Sequence, residues 1–216
     1  MKSKMKKYIL FDHDGVLVDT EHWFFMSNKK ALSELGVELD KKLYLKNMAK
    51  GISCWELLRS MDIDESTIFE TRERRNLYYQ AYLKSEDIEI PGVEGLLREL
   101  SQQYKMAIIT TSKKSDFELI HADRNIVPFM EFVLVREDYV NAKPHPDPYL
   151  IGLRKLGAPK EETLVVEDSE RGLQSAVAAG LDCAVVYNEF TKTHDFTKAT
   201  HKINALSELP SLLKSQ

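Results

Sequence analysis

The sequence has few cysteines, no excess of positive charge and no long apolar run. Its two cysteines, Cys54 and Cys183, are too few for a disulfide framework, and no spacing of cysteine with histidine resembles a zinc site. The 30 Lys and Arg residues against 34 Asp and Glu residues give a net charge of −4, with the two signs interspersed. Nucleic-acid-binding proteins usually carry a basic stripe, so we expect no nucleic-acid partner.

The absence of long apolar runs also bears on localisation. No segment approaches the roughly 20 apolar residues that a membrane-spanning helix requires. The N-terminal sequence MKSKMKKYILF is basic and then apolar, but its apolar run is much shorter than the roughly seven to fifteen residues of a signal peptide. We therefore expect a soluble cytoplasmic protein with no membrane partner, present as a monomer or a weak homo-oligomer.

Short apolar runs recur along the chain, each with the length of a strand that is buried on both faces of a parallel sheet. They are YILF (8–11), MAIIT (106–110), FVLV (132–135), TLVVE (163–167) and CAVVY (183–187). Segments with helical apolar spacing lie at 93–103, 115–125, 148–156 and 172–179, and a short strand near 202–203 and a helix at 206–213 follow. This alternation predicts an α/β fold with a doubly wound, Rossmann-like parallel sheet as its core.

Residues 20–87 interrupt the alternation, because every segment there has a helical pattern. The predicted helices are 21–35, 41–49, 53–60 and 66–84. We therefore predict an α-helical cap domain at 20–87, inserted into a catalytic core that consists of residues 1–19 and 88–216. The charged run RERR at 72–75 is most simply interpreted as a solvated helix face.

Polar residues follow the predicted strands at the edge where open parallel sheets bind ligands. They are Asp12 and Asp14 after the first strand, Thr110, Thr111 and Ser112 after the second, Lys143 in the loop after the third, and Glu167 and Asp168 at the end of the fourth. Converging carboxylates repel one another unless a cation lies between them, and Mg²⁺ prefers such oxygen ligands. The lysine and the hydroxyls add donors that suit a phosphoryl group.

Each of these motifs also has a simpler interpretation when it is taken alone. The Asp-Gly pair at 14–15 is common in turns, Ser112 and the acidic pair at 167–168 are also typical of helix N-termini, and most lysines lie on the surface. The joint occurrence at four strand ends favours a site for Mg²⁺ and a phosphoryl group.

The same motifs resemble those of a known family. DHDGVLVDT, IITTS, NAKPHPDP and VVEDSERG resemble, in order and approximate separation, motifs one to four of the haloacid dehalogenase superfamily. The helical insert after the first motif resembles the α-helical cap subclass, which includes β-phosphoglucomutase and phosphoglycolate phosphatase. The resemblance covers nearly the whole chain and implies a Mg²⁺-dependent phosphatase that acts through an aspartyl-phosphate.

The resemblance also implies residue roles. Asp12 is expected to be the nucleophile and Asp14 the general acid and base, with Thr110 binding the phosphoryl oxygens and Lys143 neutralising charge. Expected Mg²⁺ ligands are the Asp12 carboxylate, the Asp14 backbone carbonyl and Asp168, with Glu167 binding directly or through water. Further contacts with the substrate or its phosphate are expected from Gly15, Thr111, Ser112 and Arg75.

The reaction type depends on fewer positions. Related dehalogenases lack an acid at the position of Asp14, so dehalogenation is not expected. β-Phosphoglucomutases carry a cap histidine and a cap arginine where Phe24 and Cys54 align here, which favours hydrolysis of a small phosphorylated metabolite, such as a sugar phosphate or phosphoglycolate. A β-phosphoglucomutase-like phosphomutase and a non-enzymatic phospho-ligand-binding protein are the alternatives.

The histidines are not expected to form a site. His13, between the two acids, is predicted to point away into the sheet. The other five lack a mutual spacing that indicates a site; they are His22, His121, His145, His194 and His201.

Overall fold

The computed structural model of the chain describes residues 5–215, so the first four residues of the basic N-terminal segment lie outside the described residues. The chain divides into two compact units. One contains the residues up to Asp19 together with those from Glu89 onward, and the other is Thr20–Ile88. Val18 forms an isolated antiparallel bridge with Glu89, where the chain leaves and re-enters the first unit.

The first unit contains a sheet of six parallel strands within the described residues. The strands are β1 (Tyr8–Phe11), β2 (Lys105–Ile109), β3 (Phe132–Leu134), β4 (Thr163–Glu167), β5 (Asp182–Val186) and β6 (His201–Ile203). Their spatial order is β3-β2-β1-β4-β5-β6, so the chain crosses over between β3 and β4. This is the order of a doubly wound Rossmann-like sheet, which confirms the predicted core architecture.

The second unit is helical throughout its regular structure. Its helices are α1 (Glu21–Ser33), α2 (Lys41–Ala49), α3 (Trp55–Arg59) and α4 (Glu65–Ser85), and α1 packs along α4. The side chains of Asp40 and Asp64 accept hydrogen bonds from the backbone N–H groups of Leu43 and Thr67, at 2.7 and 2.9 Å. These N-caps satisfy amide groups that the first turn of a helix leaves unpaired.

One interpretation of the helical unit was wrong in part. Arg72 and Glu73 are exposed, as a solvated face requires, but Arg75 is buried with its guanidinium 4.5 Å from the ring centroid of Phe24 and 5.8 Å from that of Trp55. Successive helical residues are about 100° apart around the axis. Four consecutive charges therefore cannot share one face, and Arg75 falls on the packed side.

Helices cover both faces of the sheet in the first unit. They are α5 (Val93–Leu100), α6 (Lys114–Ile120), α7 (Asp147–Leu156), α8 (Glu170–Ala179) and α9 (Leu209–Lys214). Ile9 and Phe11 of β1 pack on the face covered by α5, α6 and α9, whereas Leu10 packs on the face covered by α7 and α8. Alternate residues of a strand point to opposite faces, which explains why β1, β2, β4 and β5 each contain a continuous apolar run.

A search of the helices within residues 5–215 finds none that combines the length and the apolar character needed to cross a bilayer.

Candidate active site

The register of the three central strands aligns the residues that follow them. Phe11 at the end of β1 pairs with Ile108 of β2 and with Val166 of β4. The backbone N–H of Asp12 donates to Val166 O at 2.8 Å, and that of Thr110 donates to Leu134 O at 2.9 Å. These bonds extend the ladder by one residue beyond β1 and β2, so that the backbone positions of both site residues are fixed by the sheet.

Lys143 forms the centre of a buried ion-pair network. Its Nζ atom lies 2.6 Å from Asp12 Oδ1, 2.7 Å from Glu167 Oε1 and 2.9 Å from the backbone oxygen of Ile109. Burial alone would lower the pKa of Lys143, but the neighbouring carboxylates of Asp12 and Glu167 outweigh this effect and raise the pKa above its ordinary value. The ammonium group therefore stays charged and compensates part of the negative charge of the site.

One ammonium does not fully compensate the surrounding acids. Burial, together with the negative charges of Glu167 and Asp14, raises the pKa of Asp12 to about 6, although Lys143 opposes the shift. In the absence of a further cation, Asp12 thus resists ionisation more than an ordinary aspartate does. A bound divalent cation would favour the ionised carboxylate.

Three carboxylates are arranged in a way that suits such a cation. Asp12, Glu167 and Asp168 are buried, and one carboxylate oxygen from each lies within 4.8 Å of the other two. Oxygens around an octahedral Mg²⁺, at about 2.1 Å from the ion, are separated by about 3 to 4 Å. The donor set is composed entirely of oxygen, so both its chemistry and its dimensions fit a hard divalent cation.

Two glycines leave room for these carboxylates. Gly15 has a φ of +79°, and a Cβ atom there would lie 2.1 Å from Asp168 Oδ2. A Cβ atom on Gly172, in the first turn of α8, would lie 1.9 Å from Glu167 Oε1. Any larger residue at either position would displace a carboxylate, which gives the glycines of the first and fourth motifs a steric explanation.

Glu167 already accepts hydrogen bonds at both of its oxygens. Oε1 accepts from Lys143 and, at 2.5 Å, from the hydroxyl of Tyr149, while Oε2 accepts from the hydroxyl of Ser169 at 3.1 Å. Tyr149 was missed by the sequence analysis, since a tyrosine within an amphipathic helix is more typical of packing than of an active site. Glu167 is therefore rigidly held, and direct coordination of a metal would compete with these bonds.

Loop residues after β5 hold the neighbouring acid. Asn188 Nδ2 donates to Asp168 Oδ2 at 2.8 Å, and the hydroxyl of Thr191 donates to the backbone oxygen of Asp168 at 2.6 Å. Neither residue was predicted, because both lie in a segment without a motif. Together they fix the side chain and the backbone of Asp168.

The hydroxyl residues after β2 contact the second acid of the first motif. Asp14 Oδ2 accepts from the hydroxyl of Ser112 at 2.6 Å and from that of Thr110 at 3.2 Å. The backbone N–H of Ser112 also donates to Thr110 Oγ1 at 3.0 Å. The first and second motifs are therefore joined by direct hydrogen bonds.

Thr111 is placed differently from its neighbours. Its Oγ1 accepts a hydrogen bond from Arg171 Nη2 at 3.1 Å, so an arginine from α8 reaches the end of β2. Arg171 was not predicted, although it stands inside the fourth motif, because an arginine in the first turn of a helix is more typical of an exposed surface. Arg75 belongs to the helical unit, where it contacts Phe24 and Trp55.

Two of the histidines contact each other, which the sequence analysis did not predict. His13 is fully buried, as expected, but its Nε2 lies 2.8 Å from Nε2 of His121 and its Nδ1 lies 3.4 Å from Asp14 Oδ2. The two histidines are 108 positions apart in the chain. Spacing along the sequence cannot reveal such a pair.

Comparison with known proteins supports the motif analysis. The sequence model of the family described as haloacid dehalogenase-like hydrolase matches residues 9–186. 6-Phosphogluconate phosphatase of Escherichia coli is 24% identical, with 96% of this chain and 95% of that protein covered. The phosphorylated carbohydrates phosphatase of Thermotoga maritima is 26% identical, with 81% and 82% covered.

Solved structures show the same fold. CbbY from Rhodobacter sphaeroides, crystallised in complex with xylulose-(1,5)-bisphosphate, aligns with a TM-score of 0.81 at 24% identity, over 95% of this chain and 96% of that one. A β-phosphoglucomutase from Clostridium difficile aligns with a TM-score of 0.78 at 23% identity, over 98% of both chains. These alignments include both units of the chain.

Proposed function

The chain belongs to the haloacid dehalogenase-like hydrolase family, and from this premise we propose that it is a Mg²⁺-dependent phosphatase of a small phosphorylated metabolite. The observation that carries the proposal is the buried network in which Lys143 bridges Asp12 and Glu167 beside Asp168. Two relatives are named as phosphatases of 6-phosphogluconate and of phosphorylated carbohydrates. A sugar phosphate is therefore the substrate class that we propose first, with phosphoglycolate second.

Mg²⁺ would be held by the carboxylates of Asp12 and Asp168 and by the backbone carbonyl of Asp14. We assign Glu167 to contact through water, because both of its oxygens already accept hydrogen bonds from protein groups. When bound, Mg²⁺ supplies positive charge that reduces the repulsion between a carboxylate nucleophile and an anionic phosphoryl group.

The proposed reaction has two displacement steps at phosphorus. In the first, an Asp12 oxygen attacks the phosphorus atom, the bond to the ester oxygen breaks, and Asp14 protonates the departing oxygen. In the second, Asp14 removes a proton from water, whose oxygen attacks the phosphorus of the aspartyl-phosphate and releases inorganic phosphate and free Asp12. A covalent intermediate divides one difficult displacement into two easier ones.

The remaining residues bind and orient the substrate. Lys143 fixes the attacking carboxylate and balances its charge. Thr110 is proposed to bind the phosphoryl oxygens, and so are Gly15, Thr111 and Ser112. Arg75, a buried cation of the helical unit, is proposed as a contact for an anionic group of the substrate.

Hydrolysis is preferred to phosphomutation because of two positions in the helical unit. Phe24 packs with Arg75 and with Tyr79, whose ring centroid is 5.0 Å away, and Cys54 is buried with its Sγ 3.4 Å from Asn28 Oδ1. Neither residue carries a charge or a basic group. The histidine and the arginine that β-phosphoglucomutases carry at these positions are therefore absent here, which favours transfer of the phosphoryl group to water.

The proposal is tested by phosphate release from p-nitrophenyl phosphate in Mg²⁺ and in EDTA, with Asp12→Asn as the matched inactive variant. We expect turnover that requires Mg²⁺ and is lost in the variant. Equal turnover by the variant, or no turnover by the wild-type protein, would contradict the enzyme assignment and favour a phospho-ligand-binding protein.

A second assay identifies the substrate and the reaction type. Sugar phosphates, 6-phosphogluconate and phosphoglycolate are compared as substrates by phosphate release, and β-glucose 1-phosphate is examined separately for conversion to glucose 6-phosphate. Isomerisation without phosphate release, activated by a sugar bisphosphate, would establish the mutase alternative instead.

A further inference from the structure

The pair of His13, which is buried, and His121, which is half-buried, adjoins the proposed acid and base of the reaction. His13 is fully buried, and its two ring nitrogens contact different groups: Nε2 faces His121 Nε2 at 2.8 Å, and Nδ1 faces Asp14 Oδ2 at 3.4 Å. The Phe117 ring packs on both histidines, with ring centroids 4.9 Å from His13 and 4.3 Å from His121. The three side chains thus form a continuous packed group that ends at the Asp14 carboxylate.

The contacts determine where the protons of this pair lie. Only one hydrogen can occupy the space between two nitrogens 2.8 Å apart, so one histidine donates and the other accepts. Asp14 Oδ2 already accepts from two hydroxyls, so a hydrogen on His13 Nδ1 and acceptance at His13 Nε2 satisfy both contacts of the ring. His121 then donates from Nε2 and has a bare Nδ1.

The surroundings of His121 agree with this arrangement. Its Nδ1 is buried and makes no hydrogen bond to any group in residues 5–215, and a buried N–H without an acceptor is rare in proteins. Burial, with the nearby His13 and Arg124, lowers the pKa of His121 to about 3. His121 is therefore neutral at physiological pH.

Three donors converge on a single oxygen of Asp14. Ser112 and Thr110 donate their hydroxyls to Oδ2, and His13 Nδ1 approaches the same atom. The 3.4 Å separation is long for a hydrogen bond, but such bonds often shorten when a substrate is bound. The imidazole ring is held by its packing on Phe117 and its contact with His121, so it restrains the carboxylate in a way that a rotatable hydroxyl does not.

We propose that His121, acting through His13, is a positioning residue that holds the Asp14 carboxylate in the orientation required for proton transfer to the leaving group. The inference rests on the proposed function, since it assigns a task to the acid of that reaction. Proton transfer by an oriented side chain contributes about 10²- to 10⁴-fold to rate. Loss of orientation removes part of that contribution without removing the acid.

The test compares two substrates of similar shape, p-nitrophenyl phosphate and phenyl phosphate. The p-nitrophenolate leaving group is a weak base and departs with little help from an acid, whereas phenolate is a stronger base and depends on protonation. We expect His121→Phe to lower kcat/KM about tenfold for phenyl phosphate and less than about threefold for p-nitrophenyl phosphate. His121→Gln, whose amide nitrogen can replace Nε2 as a donor, should restore most of the loss.

The controls separate positioning from folding. His201→Phe changes a histidine of the same unit outside the pair and should affect neither substrate. The ratio of the two kcat/KM values does not depend on the folded fraction, and His121→Leu provides a second apolar replacement if His121→Phe yields little folded protein.

The outcomes distinguish failure of the positioning role from failure of the proposed function. Equal losses for both substrates, or no loss in His121→Phe and His121→Leu, would overturn the positioning role while the wild-type phosphatase activity stands. Absence of Mg²⁺-dependent turnover by the wild-type protein would overturn the proposed function, and the role of His121 with it.

Discussion

Lys143 Nζ lies 2.6 Å from Asp12 Oδ1 and 2.7 Å from Glu167 Oε1, so one ammonium group serves two buried carboxylates. Breaking such a buried ion pair by removing one partner typically costs about 3 to 5 kcal/mol, because the remaining charge is left uncompensated. We therefore expect Lys143→Met to lower the free energy of unfolding by about that amount, measured in urea at pH 8, and to lower kcat at least about 100-fold.

The matched control for this prediction is Lys6→Met. Lys6 is also buried, and its Nζ lies 2.5 Å from Asp182 Oδ2 in the same unit. This variant should lose stability while it retains kcat. Undiminished kcat in Lys143→Met would show that the ammonium group is not required for the reaction.

The raised pKa of Asp12 predicts a pH-dependent affinity for Mg²⁺. A carboxyl group with a pKa of about 6 is protonated below that pH, and the proton competes with the cation. We expect Kd to be nearly constant above pH 7 and to rise about tenfold for each unit below pH 6, as measured by calorimetry between pH 5 and 8. A Kd that does not change over this range would contradict the prediction.

The same shift predicts how the stability of the metal-free protein depends on pH. The pKa of Asp12 is raised from 3.8 to about 6 in the folded state, so the folded chain binds the proton more tightly than the unfolded chain. The free energy of unfolding should therefore fall as the pH rises from about 4 to 6, by a contribution that Asp12→Asn removes. Chemical unfolding of both proteins in EDTA measures the difference, and Mg²⁺ should offset the loss at pH 7.

Gly15→Ala is expected to abolish activity through steric conflict. The new methyl group would lie 2.1 Å from Asp168 Oδ2, so Asp168 would have to leave its position and Mg²⁺ affinity should fall by at least about tenfold. Gly157→Ala is the matched control, because Gly157 also has a positive φ, +63°, but has no atom within 4 Å of an added Cβ. That variant should lose about 1 kcal/mol of stability and keep its activity and its Mg²⁺ affinity.

Tyr149→Phe removes one hydrogen bond from Glu167 without changing the packing of the ring. The Tyr149 hydroxyl donates to Glu167 Oε1 at 2.5 Å in a fully buried position. We expect a loss of about 1.5 to 3 kcal/mol in the free energy of unfolding and about tenfold weaker Mg²⁺ binding. Tyr187→Phe, which removes an exposed hydroxyl bonded to Glu189, should change neither quantity by a comparable amount.

The sequence predicted the sheet and the acidic edge because both have a local origin. An apolar strand followed at once by an acid identifies both a buried β-strand and the end at which it stops. Asp12 and Glu167 each follow this pattern, and parallel pairing brings the two ends together whatever lies between them. The central part of the site therefore needed no information about distant contacts.

Other features depend on contacts that the sequence does not encode locally. Tyr149, Asn188 and His121 reach the site from a helix, a loop and a helix C-cap, and none stands in a motif that marks it. The helix predicted at 115–125 ends at Ile120 in the structure. The prediction was too long because the apolar spacing continues into the turns that follow the helix. Burial of Arg75 likewise depends on the aromatic rings of two other helices.

The bridge between Val18 and Glu89 places the two ends of the inserted segment side by side. A segment whose two ends adjoin can in principle be replaced by a longer or shorter segment, because the replacement alters no strand of the sheet. Recombination at this junction would leave intact the residues of the first unit that we propose for phosphoryl transfer. Exchange of the helical segment alone would therefore preserve every strand of the core and the residues that follow those strands.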